Sequence, residues 1–419
     1  MSDTVTIAID RIAAGGDGVG RHDGMVVFVP RAVPGDVVRV DLVRQRTFAR
    51  GRIVEHVTSS PDREPAPCPH YDGDRCGGCQ LQGLRYGRQL TIKGELIRDA
   101  LVRIGRQPIG DVPVEPSAAP FGYRNSLTLA LQRDRLRPSG WMAGMHVAGA
   151  PTQLFELTTC LIAMPEVMEG WHQVMSAATN FPRATALRVT VRRLQAGGLA
   201  LTVEGGTQWK QSAIELMVAA VPSLHAVWWI REDEVRALRY DRRTVQEAGA
   251  SFAQVNPAVA EALRNYVQTQ VEALAPDAVV DAYSGSGALA MQLLRPGRRV
   301  TAIELDPEAS AVAGAALHAD PLSRVLTGRV EHMLPYGLPA SVVVLNPPRA
   351  GVDATIPVML AAETSGVQRI VYVSCDPATL ARDIGRLGEG WQLSAVQAFD
   401  MFPQTSHVET VCTIDRVAA

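Results

Sequence analysis

The sequence predicts a multidomain chain with a small N-terminal β-barrel over residues 1–58, a central α+β domain over 59–245 and a C-terminal α/β, Rossmann-like domain over 246–419. Three observations lead to this division. Short alternating runs fill the first segment, a Pro-rich stretch (58–69) separates it from a mixed central segment, and apolar strands alternate with helical patterns after residue 246. Such alternation is typical of a largely parallel, doubly wound sheet.

The composition is that of a soluble globular protein, with 47% hydrophobic and 20% charged residues. The N-terminus, MSDTVTIAID, has neither the basic region nor the apolar core of a signal peptide, and we expect neither a membrane span nor secretion. We therefore expect a cytoplasmic protein, and we also expect it to be a monomer. The formal net charge of −2 does not by itself indicate a nucleic-acid-binding protein, although local charge matters more than the sum for phosphate contacts.

The barrel is predicted from the runs TVTIAI, MVVFVP, DVVRVDLV and ARGRIVEHV, which the turn signals GGDGVG and PGD separate. Its second half is basic. The arginines concerned are Arg39, Arg44, Arg46, Arg50 and Arg52. A basic small barrel suits RNA binding, and a solvated charged face is the alternative.

Two patterns stand out in the central segment. Apolar residues recur at helical spacing from Leu81 to Ile104, ahead of Gly105, which predicts a helix. The run ALRVTVRRLQAGGLALTVEGG predicts a β-hairpin that turns at Gly197 and Gly198.

A glycine loop follows the first strand of the C-terminal domain in VVDAYSGSGALA. Gly285 and Gly287 allow a sharp turn into a helix whose free amides can face a nucleotide. Tyr283 can pack beneath the cofactor, and a place in the hydrophobic core is the alternative for this ring. Glu304 ends the next apolar run, where a carboxylate would accept hydrogen bonds from ribose hydroxyls. The pattern fits NAD as well as S-adenosylmethionine.

Asn346-Pro347-Pro348 favours S-adenosylmethionine, because it follows the apolar run SVVVL where a fourth strand should end. In methyltransferases of this architecture, a polar residue followed by prolines holds the target base there. Amino-group methyltransferases carry an aromatic residue after Asn-Pro-Pro, whereas this chain has Arg349. Cytosine-5 RNA enzymes usually carry a Pro-Cys pair in this loop, and the loop here has none.

The remaining target, carbon-5 of uracil, requires a thiolate and a base. A thiolate that adds to carbon-6 makes carbon-5 nucleophilic, and a base must later remove the carbon-5 proton. Cys375 lies between the strand-like RIVYVS and the helix start Asp376-Pro377, and we expect the helix N-terminus to lower its pKa. Glu409, at the junction of a polar loop and the last strand, is the candidate base, with His407 as its competitor.

Four cysteines are candidate metal ligands, and their pattern is C-x7-C-x2-C with one remote residue: Cys68, Cys76, Cys79 and Cys160. Four thiolates suit a [4Fe–4S] cluster. They also suit a structural zinc ion, to which His70 is a possible further ligand.

With these residues in view, the chain resembles the RNA uracil-5-methyltransferases, which modify tRNA or 23S ribosomal RNA. GGDGVG and VPRAVPGDVV resemble the marks of a TRAM domain, an OB-like RNA-binding barrel, and CPHYDGDRCGGCQLQ resembles the family's iron–sulfur segment. SFAQVNP matches the segment that contacts S-adenosylmethionine, which implies Gln254 as a ligand. VYVSCDPATLARD matches the nucleophile segment, and FPQTSHVETV matches the base segment, which implies Glu409 rather than His407.

The resemblance thus implies RNA as partner, with S-adenosylmethionine and a [4Fe–4S] cluster as cofactors. This chain departs from the family pattern at Asn346, where Asp is usual, and at Ala288, where Asn is frequent. Two alternatives therefore stay open: an amino-group methyltransferase, and an RNA-binding or folding factor with a vestigial catalytic site.

Overall fold

The computed structural model describes residues 3–247, 249–251 and 253–417, so that Phe252 of the SFAQVNP segment lies outside the described residues. The chain forms two compact units. The first comprises residues up to Ile92 with Ala119–Thr244 and Phe402–Ser406, and the second comprises Lys93–Ala118, Val245–Met401 and the residues from His407 onward. In the described part of the chain, no helix is long and apolar enough to cross a membrane.

The N-terminal segment forms a closed barrel, as predicted. Its strands are β1 (Asp3–Ile12), β2 (Gly18–His22), β3 (Met25–Val29), β4 (Val37–Arg44) and β5 (Phe48–Thr58), and they close in the order β1-β2-β3-β5-β4. Inward-facing Ile7, Val27 and Val40 form its core. Gly20 is required where β2 crosses β1, because a Cβ atom there would lie 2.3 Å from the Ala8 carbonyl oxygen.

Three elements follow the barrel: α1 (Pro69–Asp72), α2 (Tyr86–Arg103) and β6 (Val114–Glu115). The helix predicted from Leu81 begins later, at Tyr86. The Gln89 side-chain amide donates to the carbonyl oxygens of Leu81 and Leu84 at 3.0 and 2.8 Å, and these bonds hold residues 81–84 in a turn. The apolar spacing of this stretch therefore reflects burial of the turn rather than a helix.

A seven-stranded sheet fills the rest of the first unit. Its strands are β7 (Ser126–Arg133), β8 (Trp141–Val147), β9 (Ala150–Glu156), β10 (Ala186–Arg193), β11 (Leu199–Glu204), β12 (Leu224–Ile230) and β13 (Arg236–Asp241), in the order β13-β12-β11-β10-β7-β8-β9. Helices α3 (Pro165–Ser176) and α4 (Gln211–Ala220) contribute to its core. The predicted hairpin is confirmed, since β10 and β11 pair antiparallel around Gly197 and Gly198, both at positive φ.

The second unit is built on an eight-stranded sheet. Its remaining elements are α5 (Pro257–Glu272), β14 (Ala278–Ala282), α6 (Ala288–Gln292), β15 (Arg299–Glu304), α7 (Pro307–Leu317), β16 (Arg324–Thr327), α8 (Val330–Gly337), β17 (Val342–Leu345), α9 (Thr355–Ala361), β18 (Arg369–Ser374), α10 (Pro377–Gly385), β19 (Trp391–Phe399) and β20 (Glu409–Arg416). The strand order is β16-β15-β14-β17-β18-β20-β19-β6.

This sheet brings several chain segments to one edge. Strands β14 to β18 are mutually parallel, so their carboxyl ends meet there. Strand β20 runs antiparallel to β18 and presents its first residue, Glu409, at the same edge. The predicted α/β fold of the C-terminal domain is confirmed, and ligands bind at this edge in open parallel sheets.

Candidate active site

The glycine loop connects β14 to α6 and adopts backbone conformations that glycine permits. Gly285 and Gly287 have φ values of 57° and 80°. At Gly287 a Cβ atom would also lie 2.8 Å from the Cβ atom of Ala313, so a larger residue would push the loop away from α7. Tyr283 precedes the turn, itself at a φ of 62°, and its half-buried ring packs against the core.

Glu304, at the end of β15, holds this loop in place. Its carboxylate accepts the Gly285 amide at 2.8 Å and the Asp306 amide at 2.7 Å. A carboxylate oxygen can accept more than one hydrogen bond, so Glu304 can still receive a ribose hydroxyl.

Asp281 is a candidate site residue that the sequence prediction missed. It lies in β14 with 2% of its surface exposed, and burial raises its pKa to about 7 although the Ala290 amide donates to it. Its Oδ2 atom has no hydrogen-bond partner among the described residues. The available signal was an acidic residue inside the apolar run AVVDA, directly before the glycine loop.

Asn346 follows β17 at the same edge of the sheet. Its backbone amide donates to the Ala282 carbonyl oxygen at 3.3 Å, which ties it to the strand that leads into the glycine loop. Its side-chain amide has no hydrogen bond to any described residue, and it is therefore available as both donor and acceptor.

Cys375 and Glu409 come together because of the antiparallel pairing of β18 with β20. The register places Ser374 opposite Thr410, so the next residue of each strand towards the edge is Cys375 on one and Glu409 on the other. Their charges influence each other: an ionised Glu409 raises the pKa of the Cys375 thiol. The two predicted catalytic residues are thus neighbours, although they lie far apart in the sequence.

The expected lowering of the Cys375 pKa is wrong in direction. Burial is the largest cause and raises the pKa of this thiol, and the carboxylates of Glu409 and Asp376 act in the same sense. The helix N-terminus does not compensate, because the Asp376 carboxylate caps α10 by accepting the Thr379 amide at 2.8 Å. A negative charge therefore sits where the positive end of the helix dipole was expected to act.

Arg349 supplies the opposing effect, and the sequence prediction assigned it no role at the site. Its guanidinium donates a hydrogen bond to Cys375, and its positive charge lowers the pKa of that thiol. The same charge lowers the pKa of Glu409. The Nε2 atom of His407 lies 3.4 Å from the Nη2 atom of Arg349. The sequence signal was a cation directly after the Pro-Pro pair.

Glu409 is almost fully buried, with 3% of its surface exposed. Burial raises its pKa to about 7, and the opposing effects are a hydrogen bond from the Gln254 side chain and the charge of Arg349. Its Oε2 atom has no partner within the described residues. The carboxyl group therefore has a free oxygen at the sheet edge and a pKa suited to proton transfer near neutral pH. Gln254, predicted as a cofactor ligand, contacts this carboxyl group.

The four candidate metal ligands line a single cavity of about 100 Å³ in the first unit, here called the cysteine cavity. The pKa of the Cys79 thiol is raised to about 12, chiefly by burial. The negative charges of the other three thiolates, Cys68, Cys76 and Cys160, also raise it. Within residues 3–247, 249–251 and 253–417, no three Cys, His, Asp or Glu side chains converge closely enough to hold one metal ion.

The charges of two arginines lower the pKa values of thiols in the cysteine cavity, and both ring nitrogens of a histidine beside the cavity contact protein groups. The charge of Arg31 lowers the pKa of Cys76, and that of Arg124 lowers the pKa of Cys160, although burial dominates at both thiols. His70 Nδ1 lies 2.7 Å from the Asp74 carboxylate, while Nε2 accepts the Thr158 amide at 3.2 Å. Both ring nitrogens are thus engaged by protein groups, which leaves His70 no free nitrogen for a metal.

The predicted basic face of the barrel is partly neutralised. Arg39, Arg50 and Arg52 form ion pairs with Glu55, Asp17 and Asp41 at 2.7, 3.3 and 2.7 Å. Their role in RNA binding stays a prediction.

Comparison with known proteins agrees with this site. The family model "tRNA (Uracil-5-)-methyltransferase" matches residues 335–417, which include Asn346, Arg349, Cys375 and Glu409, and the TRAM domain model matches residues 2–54. Uncharacterized RNA methyltransferases are similar over nearly the whole chain: one from Gloeobacter violaceus is 36% identical over 99% of this chain and 96% of its own, and one from Thermosynechococcus vestitus is 33% identical over 98% of each.

Among solved structures, the tRNA (uracil-54, C5)-methyltransferase of Pyrococcus abyssi, in complex with S-adenosyl-L-homocysteine, has the same fold. It superposes with a TM-score of 0.71 at 22% identity, over 98% of this chain and all of that one. The fold and the full-length relatives define an RNA methyltransferase. More particularly, the chain belongs to the family of S-adenosylmethionine-dependent RNA uracil-5-methyltransferases.

Proposed function

We propose that this chain transfers a methyl group from S-adenosylmethionine to carbon-5 of a uridine in tRNA or 23S ribosomal RNA. One observation carries the proposal: Cys375 and Glu409 are neighbours at the carboxyl edge of the sheet, with Arg349 acting on both. Carbon-5 methylation of uracil needs a thiolate and a base, whereas methylation of an amino group needs no thiol. The Cys375–Glu409 pair therefore favours uracil over the amino-group alternative.

The residues at the sheet edge fit S-adenosylmethionine. Beyond its chain neighbours, no described atom lies within 4 Å of the place where a Cβ atom of Gly285 would stand, which leaves room for close backbone approach. The Asn346 amide is available, and the buried Oδ2 of Asp281 has no hydrogen-bond partner among the described residues. We assign cofactor binding to the following residues: Gln254, Tyr283, Gly285, Gly287, Glu304 and Asn346. The cofactor, when bound, supplies an electrophilic methyl group.

Cys375 and Glu409 divide the chemistry on the uracil ring. The Cys375 thiolate forms a bond to carbon-6, and the electron pair of the ring double bond moves so that carbon-5 becomes nucleophilic. Once carbon-5 carries the methyl group, the Glu409 carboxylate takes the carbon-5 proton, the ring double bond re-forms, and the carbon–sulfur bond breaks to release the thiolate. Arg349 stabilises the thiolate before attack and after release.

Trapping with 5-fluorouridine RNA tests this mechanism. Fluorine at carbon-5 cannot be removed as a proton, so we expect a covalent RNA–protein complex that survives denaturing electrophoresis. Cys375→Ala should abolish the complex, while Cys412→Ala, in the buried face of β20, should preserve it. Full methylation of uridine by the Cys375→Ala variant would refute the thiolate mechanism. Nucleoside mass spectrometry of tRNA and 23S rRNA from a deletion strain identifies the modified uridine.

We further propose that the cysteine cavity holds a [4Fe–4S] cluster. A zinc ion needs all four sulfurs about 2.3 Å from one point, whereas a cluster occupies a larger volume between them. The four thiols line one cavity, so a cluster placed there would have a cysteine ligand for each of its four iron atoms. Arg31 and Arg124 would stabilise the negative charge of the four thiolates.

Anaerobic purification with iron and sulfide analysis tests the cluster. We expect an absorbance band at about 400 nm. We also expect iron and acid-labile sulfide in nearly equal molar amounts. Cys79→Ser should remove both signals, and Cys412→Ser should leave both unchanged. Stoichiometric zinc in place of iron, in protein that was never exposed to air, would contradict the assignment.

A further inference from the structure

The first unit contains another cavity of about 460 Å³, beside the turn that joins β7 to β8. Its polar lining comprises Arg133, Arg135, Arg137, Ser139, Thr179 and Thr185. We call it the arginine pocket. It shares no lining residue with the cysteine cavity and includes none of the residues of the proposed chemistry.

The charges in the arginine pocket do not cancel. Arg137 is bound by two carboxylates: its Nε lies 3.0 Å from Asp134 and its Nη2 lies 2.9 Å from Glu156. Arg133 and Arg135, by contrast, form no ion pair with any described residue. Two of the three guanidinium groups therefore keep an unbalanced positive charge.

The pocket is also partly preorganised for an anion. The Arg133 guanidinium lies over the Trp141 ring, 4.7 Å from its centroid, which holds its planar fork in one orientation. The hydroxyl groups of Thr179 and Thr185 have no hydrogen bond to any described residue. Guanidinium forks together with free hydroxyl donors are the groups that recognise phosphate oxygens.

We propose that the arginine pocket binds a backbone phosphate of the RNA substrate, outside the uridine that is methylated. This inference rests on the proposed function, since it takes RNA as the substrate. Phosphate contacts carry no sequence information but fix the position of the nucleic acid on the protein. The pocket is therefore a positioning site that increases affinity for the whole RNA and leaves the chemistry on uracil unchanged.

Charge reversal at Arg135 is the clearest test, because Arg135 forms no hydrogen bond or ion pair with any described residue and its replacement should not disturb folding. The probe is an in vitro transcribed tRNA, labelled with fluorescein, whose binding is measured by anisotropy across a salt series. Arg231→Glu is the matched control. Arg231 lies in the turn between β12 and β13 of the same sheet, bound to Asp233 at 3.1 Å, and its reversal changes the net charge equally.

We expect Arg135→Glu to weaken tRNA binding by at least about threefold at low salt. Loss of one phosphate contact should also reduce the slope of log affinity against log salt by about 0.7 to 0.9. Arg231→Glu should change neither quantity. Equal effects of the two reversals would indicate general electrostatics and overturn the proposal, as would the absence of any effect of Arg135→Glu.

A chemical readout separates this proposal from the proposed function. Wild type and Arg135→Glu should form the 5-fluorouridine complex to the same final extent at saturating RNA. If the wild type forms no such complex, the proposed function fails, and the anisotropy comparison still decides whether the pocket binds RNA. If the complex forms but Arg135→Glu binds tRNA like the wild type, the pocket proposal alone fails.

Discussion

Replacement of Arg349 by alanine should raise the pKa of the Cys375 thiol and thereby slow methyl transfer. Two unit charges about 4 Å apart interact by about 4 kcal/mol at an effective dielectric constant of about 20. Arg349 is exposed, so water screens its charge, and we expect a net effect on the order of 1 kcal/mol. That corresponds to roughly one pKa unit.

The sign follows from the charges around the thiol. Burial and Glu409 already raise the pKa of Cys375, and Arg349 opposes them, so its loss moves the pKa further upward. At any pH below that pKa, a shift of about one unit leaves roughly one tenth of the thiolate. We therefore expect kcat/KM of Arg349→Ala to fall about tenfold near neutral pH and to recover partly as the pH rises.

Alkylation by iodoacetamide measures the thiolate directly. Its rate at Cys375 is followed against pH, with Cys375→Ala as the blank for the other thiols. Arg386→Ala is the control, because Arg386 is bound to Asp383 at 3.0 Å and is not among the main causes of the pKa shift at Cys375. If the pH midpoint of alkylation in Arg349→Ala equals that of the wild type, the role assigned to Arg349 is wrong.

Three further results are expected. Glu409→Gln should slow release of the methylated RNA by about 10²- to 10⁴-fold, so that a covalent complex with ordinary uridine RNA accumulates on denaturing gels. In the wild type, the same release step should slow as the pH falls below about 7, which is the pKa of Glu409. The pKa of Glu409 is higher in the folded chain than in the unfolded chain, so this carboxyl group increasingly destabilises the fold as the pH rises from the unfolded pKa towards 7. Glu409→Gln should therefore raise the melting temperature at pH 8 but not at pH 4. Lys93→Met should lower the free energy of unfolding by about 3 to 5 kcal/mol in urea titrations, because it leaves the buried Asp400 carboxylate without its ion-pair partner. The double variant Lys93→Met, Asp400→Leu should recover most of that loss.

Much of the fold is encoded locally and was predictable. The alternating runs of the barrel, the glycines of the β10–β11 hairpin and the strand–helix alternation of the C-terminal domain each satisfy a short-range rule for strands, turns and helices. The start of α2 was not predictable in this way. Its apolar spacing continues upstream of Tyr86, and only the hydrogen bonds from Gln89 show that the preceding residues form a turn.

The nucleophile and base candidates were also predictable, because motif context identifies Cys375 and Glu409. Their protonation behaviour was not. The dipole argument for Cys375 considered only the following helix, whereas burial, the capping Asp376 and the ionised Glu409 together reverse its direction. Arg349 and Asp281 were missed for the same reason. Arg349 is a candidate because its charge lowers the pKa values of Cys375 and Glu409. Asp281 is a candidate because its buried Oδ2 atom has no hydrogen-bond partner among the described residues.

The sequence by itself therefore determined the chemical groups and the order of the elements that carry them. Which groups meet was decided by the tertiary structure, above all by the antiparallel insertion of β20 beside β18, which brings Glu409 to Cys375. A pKa depends on solvent exclusion and on the distances to every nearby charge, and both are properties of the packed chain rather than of any segment. This is why the sequence named the thiol and the carboxylate, while only the folded chain set their pKa values.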